Sequence, residues 1–171
     1  MPRIISKRPW ECSDTELDSF EHLVKQGGEV TSQGLRHRVK NAEWLVFLNV
    51  EDGILAAVAA LKRPNKSYRR RVFESARTSE NPRDFDYELG WIYVEPRFRG
   101  RHYSRSLVES ALALAPAANV YATTREDNGR MRRTNSRCGF EETGSPYLSD
   151  HGDHKLVLQI RREGTDRRDP G

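Results

Sequence analysis

The apolar positions of this chain gather in four segments, 44–61, 88–94, 107–122 and 155–160, with polar stretches between them. That clustering marks a folded α/β chain and not a disordered one. Residues 3–6 read as a short strand. Ser13 or Asp14 can cap a helix over 15–26, in which Leu17, Phe20, Leu23 and Val24 share a face and which Gly27 and Gly28 end. A weaker helical pattern covers 32–43, through Leu35, Val39 and Ala42. Residues 44–50 and 54–61 read as a strand hairpin turned by Glu51, Asp52 and Gly53. A short basic helix is expected at 68–76 and an irregular polar stretch at 77–86. A strong strand at 87–95 is followed by a helix at 103–115 and a strand at 119–124. A helix at 128–137 then ends on Gly139. The expected last strands, 140–144 and 155–161, flank a loop rich in Gly, Ser, Asp and His. The order predicts an α/β chain: a central mixed β-sheet flanked by helices on both faces. The strand–helix–strand stretch 87–124 is expected to be a right-handed crossover between parallel strands.

Composition narrows this only a little. A chain of 171 residues with 36% hydrophobic residues suits one domain, expected over 1–162 with 163–171 as a disordered tail. No apolar run approaches the roughly 20 residues of a membrane span. The first residues lack the apolar stretch of a secretory signal, so a cytoplasmic location is expected. Cys12 and Cys138 stand far apart and belong to no CxxC or Cys/His cluster, so reduced thiols and no metal site are expected. His151 and His154 with Asp150 and Asp153 read as solvated polar residues. The net charge is +4 and arginine dominates the basic residues, which suits phosphate recognition.

The chemistry concentrates where the strand at 87–95 runs through Glu95, Pro96, Arg97, Phe98, Arg99, Gly100, Arg101 and His102 into the helix opened by Tyr103 and Ser104. Such a junction exposes several backbone N–H groups at the positive end of a helix dipole, where anions bind. Three arginines crowd the same loop. A diphosphate ligand and a solvated basic loop are both compatible with this pattern.

The stretch from Val94 and Pro96 through Arg99, Gly100, His102 and Ser104 to Leu107 resembles the signature of the GNAT N-acetyltransferase superfamily. There a strand ending in Val-x-Pro runs into Arg/Gln-x-x-Gly-x-Gly/Ala. His102 and Ser104 stand where that pattern has glycine and Gly or Ala. The strand 87–94 resembles the family's central strand, which implies that Ile92, Tyr93 and Val94 pair with the pantetheine arm of CoA. The resemblance implies that Arg99, Gly100, Arg101, His102, Tyr103 and Ser104 hold the cofactor phosphates. Downstream, 122–140 resembles the second motif, with Asn128 at a helix start as a cofactor-binding residue and Gly139-Phe140 at its end. Many members carry a tyrosine four residues before that glycine as general acid; this chain has Asn135.

The resemblance therefore implies acetyl transfer from acetyl-CoA to a primary amine by direct attack. Glu88, six residues before Val94, is the candidate catalytic base, against a structural glutamate paired with an arginine. Tyr147, placed in the loop after 144, is a conceivable substitute acid, against a packing aromatic. The arginines of 130–137 read either as contacts to the 3′-phosphate of CoA or to nucleic acid, or as a solvated face. A basic surface leaves room for an RNA-borne acceptor. No membrane partner is expected, and the oligomeric state, a homodimer included, stays open. Two other functions compete with catalysis: a CoA-binding regulator with a degenerate site, and a basic nucleic-acid-binding protein.

Overall fold

A computed structural model describes residues 1–28, 30–150 and 152–164. Glu29, His151 and residues 165–171 lie outside the described residues, so the readings of His151 and of most of the tail do too. The strands are β1 (Arg3–Lys7), β2 (Trp44–Asn49), β3 (Leu55–Lys62), β4 (Tyr87–Val94), β5 (Val120–Arg125), β6 (Glu141–Leu148) and β7 (Lys155–Arg161). The helices are α1 (Asp14–Gln26), α2 (Leu35–Lys40), α3 (Lys66–Ala76), α4 (Tyr103–Ala113) and α5 (Gly129–Arg137). The strands form one mixed sheet in the order β1-β2-β3-β4-β5-β7-β6. Two compact units divide the chain: 1–63 with 89–115, and 64–88 with 116–171.

In the first unit β1, β2 and β3 pair antiparallel, Arg3 opposite Asn49 and Trp44 opposite Leu61. The interior positions of β2 and β3 are buried without alternation, which is what a strand covered on both faces requires. Leu45, Phe47, Val58 and Ala60 pack with Leu17, Phe20, Leu23 and Val24 of α1 and with Leu35 and Val39 of α2. α4 lies against β1, β2 and β3 and buries Leu107, Val108, Ala111 and Leu112. The alanines of β3, at 56, 57, 59 and 60, are wholly buried. Small side chains there let covering elements approach closely.

Local chemistry sets the element ends. Ser13 Oγ accepts from the Glu16 amide at 3.1 Å while Glu16 Oε2 accepts from the Ser13 amide at 3.0 Å, a reciprocal cap on α1. Glu16 also receives Lys7 Nζ at 2.6 Å, tying β1 to α1. Glu43, just before β2, is held between Arg8 and Arg63. Arg8 also lies over the Trp44 ring, 3.9 Å from its centroid. α2 is shorter than the pattern over 32–43 suggests. It starts after Gly34, whose φ of 73° ends the preceding turn, and stops at Lys40.

In the second unit β4 begins parallel to β5, with Tyr87 opposite Val120 and Glu88 opposite Tyr121. β5 and β6 both pair antiparallel with β7. α3 buries Val72, Phe73 and Ala76 in a cluster with Phe85, Tyr121, Leu158 and Ile160. Asn65 caps α3, and Asn128 caps α5 by accepting from the Met131 amide at 3.1 Å. The expected loop after 144 is strand: β6 runs to Leu148, so Tyr147 is a strand residue. Its pairing passes from Thr143–Leu158 directly to Tyr147–Leu156, which leaves a bulge around Gly144, Ser145 and Pro146. Alternation failed as a sequence signal here because the bulge and the proline break the period.

Candidate active site

Two groups of residues carry chemistry. The first is the junction from β4 to α4, within the first unit. Trp91 has φ 51° in the middle of β4, an uncommon conformation for a bulky residue that breaks the regular strand. Gly90 beside it is the signal that sequence offered for this irregularity. Trp91 and Tyr93 pack on the α1–α2 core, with Trp91 edge-on to Phe20 at 6.2 Å. After Val94 a short 3-10 turn over Pro96–Phe98 leads to two left-handed residues, Gly100 at φ 82° and His102 at φ 60°. His102 thus adopts the backbone that glycine would favour. It is the N-cap of α4 and makes no side-chain capping bond. The first-turn amides of α4, at Tyr103, Ser104 and Arg105, have no acceptor within the helix by its geometry.

The arginines of this loop are arranged unequally. Arg97 pairs with Glu95 at 2.9 Å. Arg99 Nε donates to the Val94 carbonyl at 3.1 Å, and its guanidinium lies 5.7 Å from the Tyr93 ring centroid. Arg101 lies 5.8 Å from the Phe98 ring centroid. A helix N-terminus without a side-chain cap, two left-handed residues just before it, and Arg99 and Arg101 in the same loop are features that suit a diphosphate. Gly100 leaves open space where a Cβ would stand. The junction therefore brings together Ile92, Tyr93, Val94, Arg99, Gly100, Arg101, His102, Tyr103 and Ser104. Asn128 belongs to the second unit, where its side-chain oxygen is engaged in capping α5.

The second group surrounds Glu88, which is 3% exposed. Tyr121, directly opposite it on β5, donates its hydroxyl to Glu88 Oε2 at 2.9 Å. Tyr68 of α3 and Tyr147 of β6 pack on the same aromatic cluster. The Tyr147 hydroxyl is buried without a hydrogen-bond partner. Glu88, then burial, push the Tyr68 phenol well above its ordinary value. Burial, then Glu88, do the same to Tyr121 and Tyr147. All three phenols stay neutral donors at any working pH. Tyr68 and Tyr121 escaped the sequence reading. Tyr121 left no local signal, because only the register of the parallel pair β4–β5 sets it beside the acidic residue.

Asn135 is 1% exposed and belongs to a buried polar network. Its Nδ2 donates to Gln159 Oε1 at 2.9 Å, and Thr124 Oγ1 donates to the same oxygen at 2.9 Å. Gln159 Nε2 in turn donates to the Arg132 carbonyl at 3.3 Å. Asn135 thus ties α5 to β5 and β7 and has no ionisable proton to give. On α5, Arg132 is committed to Glu142, with bonds of 2.6 and 2.9 Å. That pairing neutralises part of the basic helix. Cys12 and Cys138 are free thiols. Among the described residues no group of three or more His, Cys, Asp or Glu gathers as a metal site, and no helix is long and apolar enough to cross a membrane.

No curated protein matches this chain by sequence. Among solved structures, an acyl-CoA N-acyltransferase from Pseudomonas aeruginosa matches with a TM-score of 0.69 at 16% identity, over 94% of this chain and 99% of that one. Escherichia coli ElaA matches at 0.68 and 13% identity, over 95% and 100%. The ribosomal-protein-S18-alanine N-acetyltransferase from Escherichia coli matches at 0.66 and 14%, over 98% of both chains. At these identities the likeness is one of fold. The model of the acetyltransferase (GNAT) family matches residues 8–140, most of the chain and all of the β4–α4 junction, and the chain therefore belongs to the GNAT acetyltransferase family.

Proposed function

We propose that the protein is an acyltransferase that moves the acetyl group of acetyl-CoA to a primary amine. The observation that carries this reading is the β4–α4 junction, where Gly100 and His102 in left-handed conformations lead to the uncapped start of α4 beside Arg99 and Arg101. In this reading the first-turn amides and the two arginines hold the cofactor diphosphate, and the backbone of Ile92, Tyr93 and Val94 pairs with its pantetheine arm. Acetyl-CoA, when bound, supplies an acetyl group activated as a thioester.

The remaining steps fall to the protein. In this reading a strand amide near Trp91, whose φ of 51° interrupts the regular strand conformation, polarises the acetyl carbonyl oxygen. Glu88 takes the proton that the acceptor ammonium must lose before it can attack. Because Glu88 is 3% exposed, the proton reaches it through a water or a neighbouring phenol rather than by direct contact. The amine nitrogen then bonds to the acetyl carbon as the carbon–sulfur bond breaks; the new amide nitrogen releases its second proton and the departing thiolate takes one up, both exchanged with solvent. A second reading, a CoA-binding regulator without turnover, is favoured by Asn135, which fixes the helix where many relatives have a proton-donating tyrosine.

Calorimetric titration of acetyl-CoA tests the cofactor assignment. Micromolar binding to the wild type is expected, weakened in Arg99→Ala with Arg101→Ala. Two charge-assisted bonds at about 1.5 kcal/mol each correspond to roughly a hundredfold loss. No binding by folded wild type refutes both CoA readings. Binding without turnover of any amine in a broad panel selects the regulator.

A further inference from the structure

The reading above leaves the acceptor as an amine of unspecified character, and the residues around Glu88 narrow it. Tyr68, Tyr121 and Tyr147 converge on one aromatic cluster, with the Glu88 carboxylate bonded to Tyr121 inside it. The buried Tyr147 hydroxyl has no partner, an unmade bond that a ligand group can complete.

The outer side of the cluster already holds a cation. The Arg71 guanidinium lies 5.7 Å from the Tyr68 ring centroid, and its Nη2 sits 3.1 Å from Asp150 Oδ2. Both partners of that ion pair are more than half exposed, at 59% and 69%, so water and other cations compete for it. Arg69, on the same helix, donates its Nη1 to the Phe85 carbonyl at 2.7 Å, and its charge acts on Tyr121. The Tyr68 and Tyr147 phenols both feel Glu88 and Asp150, and at Tyr68 it is Arg71 that opposes these two carboxylates.

We propose that this face binds the acceptor as a cation: an ammonium on an apolar alkyl or aryl carrier takes the place of Arg71 between the Tyr68 ring and Asp150, with Tyr147 and Glu88 completing the polar lining. Arg71 is then a displaceable internal occupant that holds the site ready. The proposal rests on the amine-acceptor reading and excludes a phosphorylated or RNA-borne amine, which the two carboxylates repel. A ring face and a carboxylate together recognise an ammonium more tightly than either alone.

Calorimetric titration at pH 7 with benzylammonium chloride and with O-phosphoethanolamine, on the CoA-free full chain, tests it. Benzylammonium is expected to bind at least tenfold more tightly than phosphoethanolamine. Arg71→Ala removes the internal competitor and is expected to tighten benzylammonium about 3–10-fold, the worth of one exposed ion pair and one cation–π contact. Asp150→Asn is expected to weaken it by a similar factor. Absence of benzylammonium binding in both wild type and Arg71→Ala, weaker binding in Arg71→Ala, or a preference for phosphoethanolamine overturns the proposal. Acetyl-CoA titrated separately keeps the two readings apart. Cation binding without acetyl-CoA binding removes the transferase reading and leaves the cation site standing. Acetyl-CoA binding without cation binding does the reverse.

Discussion

Gly144 is a position where one added methyl group should do heavy damage, and the cost can be worked from the geometry. Its φ is 72°, and a Cβ built there would stand 2.1 Å from the Ala76 carbonyl oxygen at the end of α3 and 3.2 Å from the Thr78 amide. Ordinary contact begins at 3.4 Å, so the two backbones must separate by 3.4 − 2.1 = 1.3 Å. Thr78 and Thr143, hydrogen-bonded at 2.6 Å beside this contact, leave little room to yield. The left-handed conformation costs an alanine about 1 kcal/mol, and forcing packed backbone apart adds about 2–3 kcal/mol. Gly152 is the control: its φ is 71° but nothing lies within 4 Å of its Cβ position, so Gly152→Ala meets the conformational cost alone. At roughly 3 °C per kcal/mol for a chain of this size, Gly144→Ala should lower Tm by about 10 °C and Gly152→Ala by about 3 °C. Thermal unfolding followed by circular dichroism reads both. Equal drops in the two variants refute the close approach of β6 to α3. The same bulge carries Tyr147 onto the aromatic cluster, so Gly144→Ala should also weaken benzylammonium binding.

Two further outcomes follow from the first unit. Ser13→Ala removes the side-chain acceptor of the α1 cap and should cost about 1 kcal/mol, seen as a Tm lower by roughly 3 °C; an unchanged Tm refutes the cap's contribution. Burial pushes the Glu43 carboxyl up, but hydrogen bonds from Arg63 and Arg8 outweigh it and hold the group below the usual carboxylate range. A depressed folded pKa gives stability that is fully present above the unfolded value of about 4.3 and is lost as pH falls through the folded value. The unfolding free energy of the wild type should therefore fall more steeply between about pH 4.5 and pH 3 than that of Glu43→Gln. Denaturant titrations across this range check it, and parallel slopes refute it.

Much of the fold was legible from periodicity and caps. The face of Leu17, Phe20, Leu23 and Val24, the Ser13 cap and the hairpin at Glu51–Gly53 each announce their element locally, and the structure keeps them. The β4–α4 junction was legible for the same reason: its strand, turn and helix start follow one another in consecutive residues. The family followed from those residues in order.

What sequence could not settle depends on partners distant in the chain. The weak helix over 32–43 shrank to six residues because Gly34 and Asn41 bound it and little apolar surface holds its ends. β6 outran its expected end because pairing with β7 overrides the local signals of Gly144 and Pro146. Sequence singled out Asn135 by its position, but its bond to Gln159, 24 residues away, shows why the side chain belongs to the interior. Glu88 was a candidate from its place on a strand; that it meets Tyr121, 33 residues on, follows from the parallel register alone. Local backbone preference and hydrophobic period act over a few residues and are written in the chain. The cluster of Tyr68, Glu88, Tyr121 and Tyr147 exists only because three strands and a helix bring it together, and only the tertiary structure decides that.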